Sequence, residues 1–248
     1  MPPVPAVKRA LNVLELLVHE REPMMLSDIV ARTGIPTASC HAIMHTLQEA
    51  GYVSRRSEGR TQYWEPTLAL FHLGSAVVSR FGIRDIAMPY LRELSAAFDV
   101  PAHLGVLVGT DVMYLEKAAA PSFIQFNTFP GKLSPFHITA LGRAIAAWLP
   151  DAEQRALTAG LATPIDAQLR ETRAHGFAVE DSEEIDGVGC VAAPVFDAAG
   201  AVIASIGLTG FSRDLLPGGD PPAVPAVRDA ARAISAELGY RPAAALPA

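Results

Sequence analysis

The stretch LSDIVARTGIPTASCHAIMHTLQEAG, residues 26–51, followed by YVSRRSEGRTQYWEP, residues 52–66, decides how this chain reads. Ile29 and Val30 lie in a first helical segment that Ser27 is placed to cap and Gly34 to end. A short hydroxyl side chain accepts from the free N–H groups of a first turn, and glycine adopts the left-handed conformation that closes a helix. Thr33-Gly34-Ile35 is the turn. Pro36 is preset for the first turn of a second helix, along which Cys40, Ile43, Met44 and Leu47 recur at helical spacing until Gly51 stops it. The opposite face carries Thr37, Ala38, Ser39, His41, Ala42 and His45, small or hydrogen-bonding, with no acid before Glu49. Such a face suits the major groove of DNA, whose base edges offer donors and acceptors.

Residues 52–56 and 61–64 are β-prone and flank Ser57-Glu58-Gly59-Arg60, a hairpin turn in which glycine supplies the positive φ. Arg55, Arg56 and Arg60 ride on that wing. Guanidiniums beside a phosphate backbone supply salt-dependent, sequence-independent affinity. Taken alone, the same pattern also fits a helical hairpin packed in a core, with arginines on an ordinary solvated turn.

The chain has 248 residues, half of them hydrophobic, enough for one large or two small domains with a real core. A net charge of −6 and a pI near 5.6 exclude a protein that coats nucleic acid or anionic membrane through bulk charge. Residues 1–65 hold seven Lys or Arg and seven Asp or Glu, so the whole −6 lies beyond them. A neutral module with its positive charge gathered on one hairpin is joined to an acidic one. Cys40 and Cys190 are the only cysteines, too far apart in sequence to signal a disulfide framework or a metal site. The opening Met1-Pro2-Pro3-Val4-Pro5 lacks the pattern of a signal peptide, and no apolar stretch reaches membrane-spanning length, so the expected compartment is the cytoplasm.

Elsewhere along the chain, Ala10, Leu11, Leu14, Leu17 and Val18 mark a first helix over residues 6–20, and Met24-Met25-Leu26 could pair with the wing as a third strand. Residues 67–80 form a helix too apolar for a plain spacer, expected to pack on a second copy of the chain, with docking on its own wing as the alternative. Residues 83–98 form an amphipathic helix with Ile86, Tyr90, Leu91, Leu94 and Phe98 inward. Strands follow at 103–108 and 112–117, with residues 122–129 also strand-like. Helices are expected near 140–148, 151–159 and 166–175, strands at 177–180, 190–197 and 201–211, and a last helix at 226–238. Hairpins interleaved with helices imply an α+β fold, an antiparallel sheet covered by helices.

In four places the residues resemble the IclR family of bacterial transcriptional regulators. These are Val7 to Leu17 (VKRALNVLELL), the two-helix stretch through Gly51-Tyr52-Val53, Pro135-Phe136-His137 with Ala140-Leu141-Gly142-Arg143, and Gly189 to Asp197 (GCVAAPVFD). The resemblance runs from about residue 6 to 240. It implies an N-terminal winged helix-turn-helix (1–66), a linker and dimerisation helix (67–81), a GAF-like effector-binding domain (82–240) and a disordered tail (241–248). It further implies a homodimer or dimer of dimers on double-stranded operator DNA and a small organic acid as effector; no nucleophile elbow, metal-ligand spacing or phosphate loop stands in the sequence, so no cofactor, metal or enzymatic activity is expected. DNA contacts then fall to Ser27, Thr37, Ala38, Ser39, His41, Ala42, His45, Arg55, Arg56 and Arg60. The family's recognition helix usually carries basic residues where this chain has Thr37 and Ala42, which leaves base contacts to Ser39, His41 and His45. That departure keeps open a small-molecule-binding protein, or an enzyme, with weakened DNA recognition.

The family's ligand pocket corresponds here to the backbone of Ala140 and Leu141, to Glu180 and Asp181, to Cys190, and to Gly207 and Thr209. Members that bind very small acids resemble one another in having hydroxyls at both of the last two positions. Gly207 has none, so the pocket is expected to be enlarged, with Phe123, Phe126, Phe129 and Phe136 nearby in sequence and an aromatic acid as the effector. Phenylalanines in an α+β domain are, however, more often core than ligand wall. His103 and His137 read as structural, and Cys190 as a buried thiol with no basic neighbour to activate it.

Overall fold

The computed structural model describes residues 3–59, 61–78, 82–120, 126–217 and 221–241, without the side chains of residues 75, 77 and 78. The chain divides into two compact units, Met1–Phe81 and Gly82–Ala248.

The first unit comprises α1 (Pro5–His19), β1 (Met24–Met25), α2 (Leu26–Thr33), α3 (Thr37–Glu49), β2 (Val53–Glu58), β3 (Thr61–Pro66) and α4 (Ala69–Val78). Its sheet has the order β1-β3-β2, all antiparallel. The third strand foreseen at Met24-Met25 is present, but Leu26 already begins α2. Because that strand runs straight into the helix, Met25 holds the cap position, and Ser27, one residue inside, caps nothing. Gly34 closes α2 at φ 68°. Pro36, expected inside the next helix, is its cap residue with an extended ψ of 136°.

Val13, Leu17, Ile29, Cys40, Met44 and Trp64 fill the core of this unit. The inward face of α1 differs from the expected one. Val13 and Leu17 are fully buried, while Leu11 and Val18 are 54% and 53% exposed. Eight apolar residues from Val7 to Val18 give this helix two stripes, and the core takes only the one facing α2, α3 and β3. Thr67 donates its hydroxyl to the Gly51 carbonyl at 2.5 Å and accepts from the Ala69 N–H, so one residue ties the end of α3 to the start of α4.

The second unit is a six-stranded antiparallel sheet of order β6-β5-β4-β9-β8-β7. Its strands are β4 (Ala102–Val108), β5 (Asp111–Ala118), β6 (Leu133–Pro135), β7 (Ala178–Asp181), β8 (Val188–Phe196) and β9 (Val202–Phe211). Helices α5 (Ile83–Phe98) and α10 (Val224–Glu237) pack together and against β4, β5, β8 and β9. On the face that carries Tyr114, Cys190 and Ala192 lies α6 (Ala140–Ala146). It follows a single 3-10 turn, Phe136–Ile138, and is backed by α8 (Asp166–His175). The short α7 (Asp151–Thr158) and α9 (Ser212–Leu215) complete the unit.

This is the expected α+β architecture, with two local differences. Phe126–Phe129 form no strand, residues 121–125 lying outside the described residues; instead the Phe126 and Thr128 carbonyls accept from Lys117 Nζ at 3.1 and 2.9 Å. In their place the three-residue β6 pairs with β5. Arg60, residues 79–80 of the linker helix, Phe123, residues 218–220 of the Pro/Gly loop and the tail from 242 also lie outside the described residues.

Candidate functional site

Two constellations stand out, one in each unit. In the first, helical periodicity turns Cys40, Met44 and Leu47 of α3 into the core, which leaves Thr37, Ala38, His41, Ala42 and His45 exposed and Ser39 half-buried. The imidazole of His45 lies 3.5 Å from the Glu49 carboxylate one turn on. Ser27 is exposed at the start of α2, with its hydroxyl 3.4 Å from Asp28.

Beside α3 stands the β2–β3 hairpin, in register Arg55↔Trp64 and Arg56↔Tyr63, with Gly59 at φ 61° in its turn. Adjacent residues on a strand point to opposite faces, so Arg55 and Arg56 diverge and cannot grip one phosphate together. The Arg55 guanidinium lies 5.7 Å from the centre of the Trp64 ring and donates to Gln62, whereas Arg56 pairs with Glu58 at 3.0 Å. Both are exposed and can change partner cheaply, because solvated ion pairs contribute little.

In the second unit, strand pairing assembles a polar row across the sheet beneath α6. Glu180 faces Cys190 across β7 and β8, and Cys190 faces Thr209 across β8 and β9. The Cys190 thiol is 3.2 Å from the Thr209 hydroxyl, which lies 3.4 Å from His103 Nδ1. His103 Nε2 is 2.8 Å from the Thr128 hydroxyl, and the ring meets Tyr114 edge-on at 5.2 Å. Ala140 and Leu141 pack in the same cluster as Cys190 and Tyr114.

Burial controls the charge of this row. It holds the His103 pKa down at about 3, with Lys117 and Lys132 adding to the effect, so the imidazole is neutral. It pushes the Cys190 thiol well up, helped by the Glu180 carboxylate, so Cys190 is a protonated thiol and not a nucleophile. Burial also raises Glu180, opposed by the Glu183 and Glu184 N–H groups that donate to its Oε1 at 2.6 and 3.2 Å.

The loop after β7 is fastened from two sides. Glu184 accepts from Ser134 at 2.8 Å and pairs with Lys132 at 3.1 Å, and Glu183 pairs with the buried Arg143. Arg143 also donates to the carbonyls of His137 at 2.8 Å and Val179 at 3.2 Å. Sequence reading did not reach Tyr114, Thr128, Ser134 or Glu184. The strand alternation that places Tyr114 on the α6 face was their one available signal.

The remaining expected pocket residues do not join the row. Asp181 points to the other side of β7 and borders a separate cavity with Arg143 and His175. Phe136 packs behind α6 with Ala146, Ile165 and Leu169, Phe126 lies edge-on to Phe211 at 5.8 Å, and Phe129 is exposed. No aromatic wall gathers from them. Gly207 also plays another part than the expected one. A Cβ there would lie 2.4 Å from the Val191 carbonyl oxygen and 2.9 Å from Ala192 Cβ, so the glycine permits a close strand approach and opens no room. Among the described residues, no group of three or more His, Cys, Asp or Glu is arranged to hold a metal ion, and no helix is long and apolar enough to cross a membrane.

Comparison with known proteins covers both units. Residues 6–57 match the model of the IclR helix-turn-helix domain, and residues 75–236 match that of the bacterial transcriptional regulator IclR C-terminal domain. The chain is 32% identical over 221 residues to the HTH-type transcriptional regulator XynR of Escherichia coli (strain K12), covering 84% of this chain and 87% of XynR. The crystal structure of the Thermotoga maritima IclR superposes with a TM-score of 0.72 at 26% identity, over 94% of this chain and 98% of that one. An IclR homolog from Microbacterium hydrocarbonoxydans, complexed with 4-hydroxybenzoate, shares the fold at a TM-score of 0.79 and 19% identity, over 94% and 98%.

Proposed function

Because the chain belongs to the IclR family of bacterial transcriptional regulators, we propose that it reads a double-stranded operator with α3 and the β2–β3 hairpin, and that a short organic acid held in the C-terminal unit tunes this. The observation that carries the reading is the exposed, acid-poor face of α3 beside the arginine-bearing hairpin. Ser39, His41 and His45 contact base edges, Arg55 and Arg56 contact phosphates on different sides of the wing, and Arg60, next in sequence to its turn, adds a further phosphate contact. Two such modules on a palindrome require a dimer, and α4 with the residue before it offers the surface: Phe71 and Leu68 are 72% and 83% exposed.

The effector sits under Ala140 and Leu141 against Glu180, Cys190, Thr209 and His103. The tight approach at Gly207 and the dispersal of the phenylalanines favour a short, polar acid over an aromatic one. By linkage, operator DNA changes the affinity for that acid by the same factor as the acid changes affinity for DNA.

The test has two arms. Selection from a random duplex pool, then titration of the winner at two salt concentrations, yields an enriched sequence whose binding falls steeply with salt. A protein that enriches no sequence has lost DNA recognition, and the reading fails. In the second arm, short aliphatic acids raise the melting temperature by mass action, and Thr209→Val removes the shift. A shift that survives Thr209→Val overturns the placement of the effector.

A further inference from the structure

Away from the polar row lies a cavity in the notch where β7 stops. β7 pairs with β8 only along Gly189 to Ala192, so Ala193, Pro194 and Phe196 run on beyond it. There they meet the residues after α6, the end of α8, and α10, and border a cavity of about 330 Å³. That volume lies at the lower end of the ~300–1,000 Å³ usual for small-molecule sites.

Its wall is aromatic. Phe196 meets Trp148 edge-on at 5.1 Å and stacks on Tyr240 at 5.0 Å. All three rings are half-buried, so part of this wall is open. Its charge is positive. Arg228 and Arg232 stand one turn apart on α10 and line the cavity, and Arg173 lies 5.3 Å from the centre of the Trp148 ring. Arg232 pairs with Asp229 at 2.8 Å, but among the described residues no acid pairs with Arg228. Gly176, which ends α8 at φ 75°, lies beside that guanidinium, 3.8 Å from Arg228 Nε to the position a Cβ would take. A surplus of positive charge beside an aromatic wall is unusual in the part of the chain that carries the whole −6.

We propose that this notch binds a small planar aromatic carboxylate, its ring laid against Phe196, Tyr240 and Trp148 and its carboxylate on Arg228. Offset or edge-on ring contacts favour a flat aromatic over an aliphatic body, and the guanidinium fork matches a carboxylate with two parallel hydrogen bonds. The site shares no residue with the row beneath α6, so it is a second binding site on the same unit.

Trp148 is its built-in reporter, since the only other tryptophan is Trp64 of the first unit. In a Trp64→Phe protein, titration with benzoate should change Trp148 fluorescence saturably. Cyclohexanecarboxylate should bind more weakly, and benzyl alcohol, which lacks the charge, more weakly still. Arg228→Gln should weaken benzoate binding by about tenfold, the scale of one lost charged hydrogen bond. Arg228→Lys should fall between, keeping charge but not the fork. Thr209→Val should leave benzoate binding unchanged. No saturable change in the parent, equal binding by Arg228→Gln, or loss of binding in Thr209→Val would each overturn the proposal. Should Arg228→Gln not fold, Tyr240→Ala is the substitute and is expected to weaken binding likewise.

Discussion

Replacing His103 should remove part of the acid sensitivity of the second unit. Its pKa is about 3 in the fold against 6.5 unfolded, so between those values the unfolded chain holds a proton that the folded one refuses. Stability from this group is complete above pH 6.5 and is lost progressively as pH falls toward 3. Each unit of pH in that window costs about 1.4 kcal/mol, so descent from pH 7 to pH 5 removes about 2 kcal/mol. Glu180 works in the opposite sense. Its pKa is raised by burial, so the folded state takes up its proton first on acidification, and its contribution opposes that of the histidine. Burial raises Tyr114 and Cys190, so these two titrate above this window. The difference between wild type and His103→Gln isolates the histidine, since every other group is common to both. Urea denaturation at pH 7 and pH 5, followed by Trp148 fluorescence in the Trp64→Phe background, reads the second unit alone. The loss of stability between the two pH values should be about 2 kcal/mol smaller in His103→Gln. If both proteins lose the same amount, His103 is not the buried neutral group described here.

Arg56→Ala should weaken binding to all duplexes alike and flatten the slope of log affinity against log salt by about one per wing, whereas His41→Ala or Ser39→Ala mainly relaxes operator choice. Uniform loss from the helix variants, measured by fluorescence anisotropy on matched and mismatched duplexes, would contradict that division. Gly207→Ala should destabilise the second unit by about 1–3 kcal/mol, a fall of about 2–4 °C in Tm for each, because backbone of β8 must move. Gly160→Ala, where a Cβ meets nothing within 4 Å, is the matched control for thermal denaturation, and equal behaviour of the two would restore the enlarged-pocket reading. Phe71→Ser should raise the dimer dissociation constant at least tenfold in sedimentation equilibrium, given about 1.5–3 kcal/mol for burying such a side chain, and an unchanged constant would place the dimer contact elsewhere.

The helices and long strands were legible because each has a period of its own and punctuation at its ends: Gly34 after α2, Asp197 to Gly200 between β8 and β9, Asp99 after α5. What periodicity could not decide was which of two apolar stripes on α1 the core would take, since that depends on where α2 and α3 lie. A three-residue strand such as β6 has too little sequence for alternation to show. The meaning of Gly207 was hidden for a different reason. A missing side chain enlarges a pocket only if nothing else occupies the space, and here the Val191 carbonyl, sixteen residues away, occupies it. The part Arg143 plays could not be read from the sequence because its partners at His137, Val179 and Glu183 come from three separate segments. The row from Glu180 to His103 was half visible: the resemblance pointed to its β7, β8 and β9 members, but only strand register brings in His103 and Tyr114.

Thr67 has a consequence for how a signal could pass through the first unit. Its hydroxyl holds the carbonyl just past α3, its N–H bonds the next carbonyl at Tyr52, and it caps α4. Through this one side chain the turn after α3 and the start of α4 are joined, so a displacement of α4 would bear first on the Gly51–Tyr52 turn rather than on the buried core.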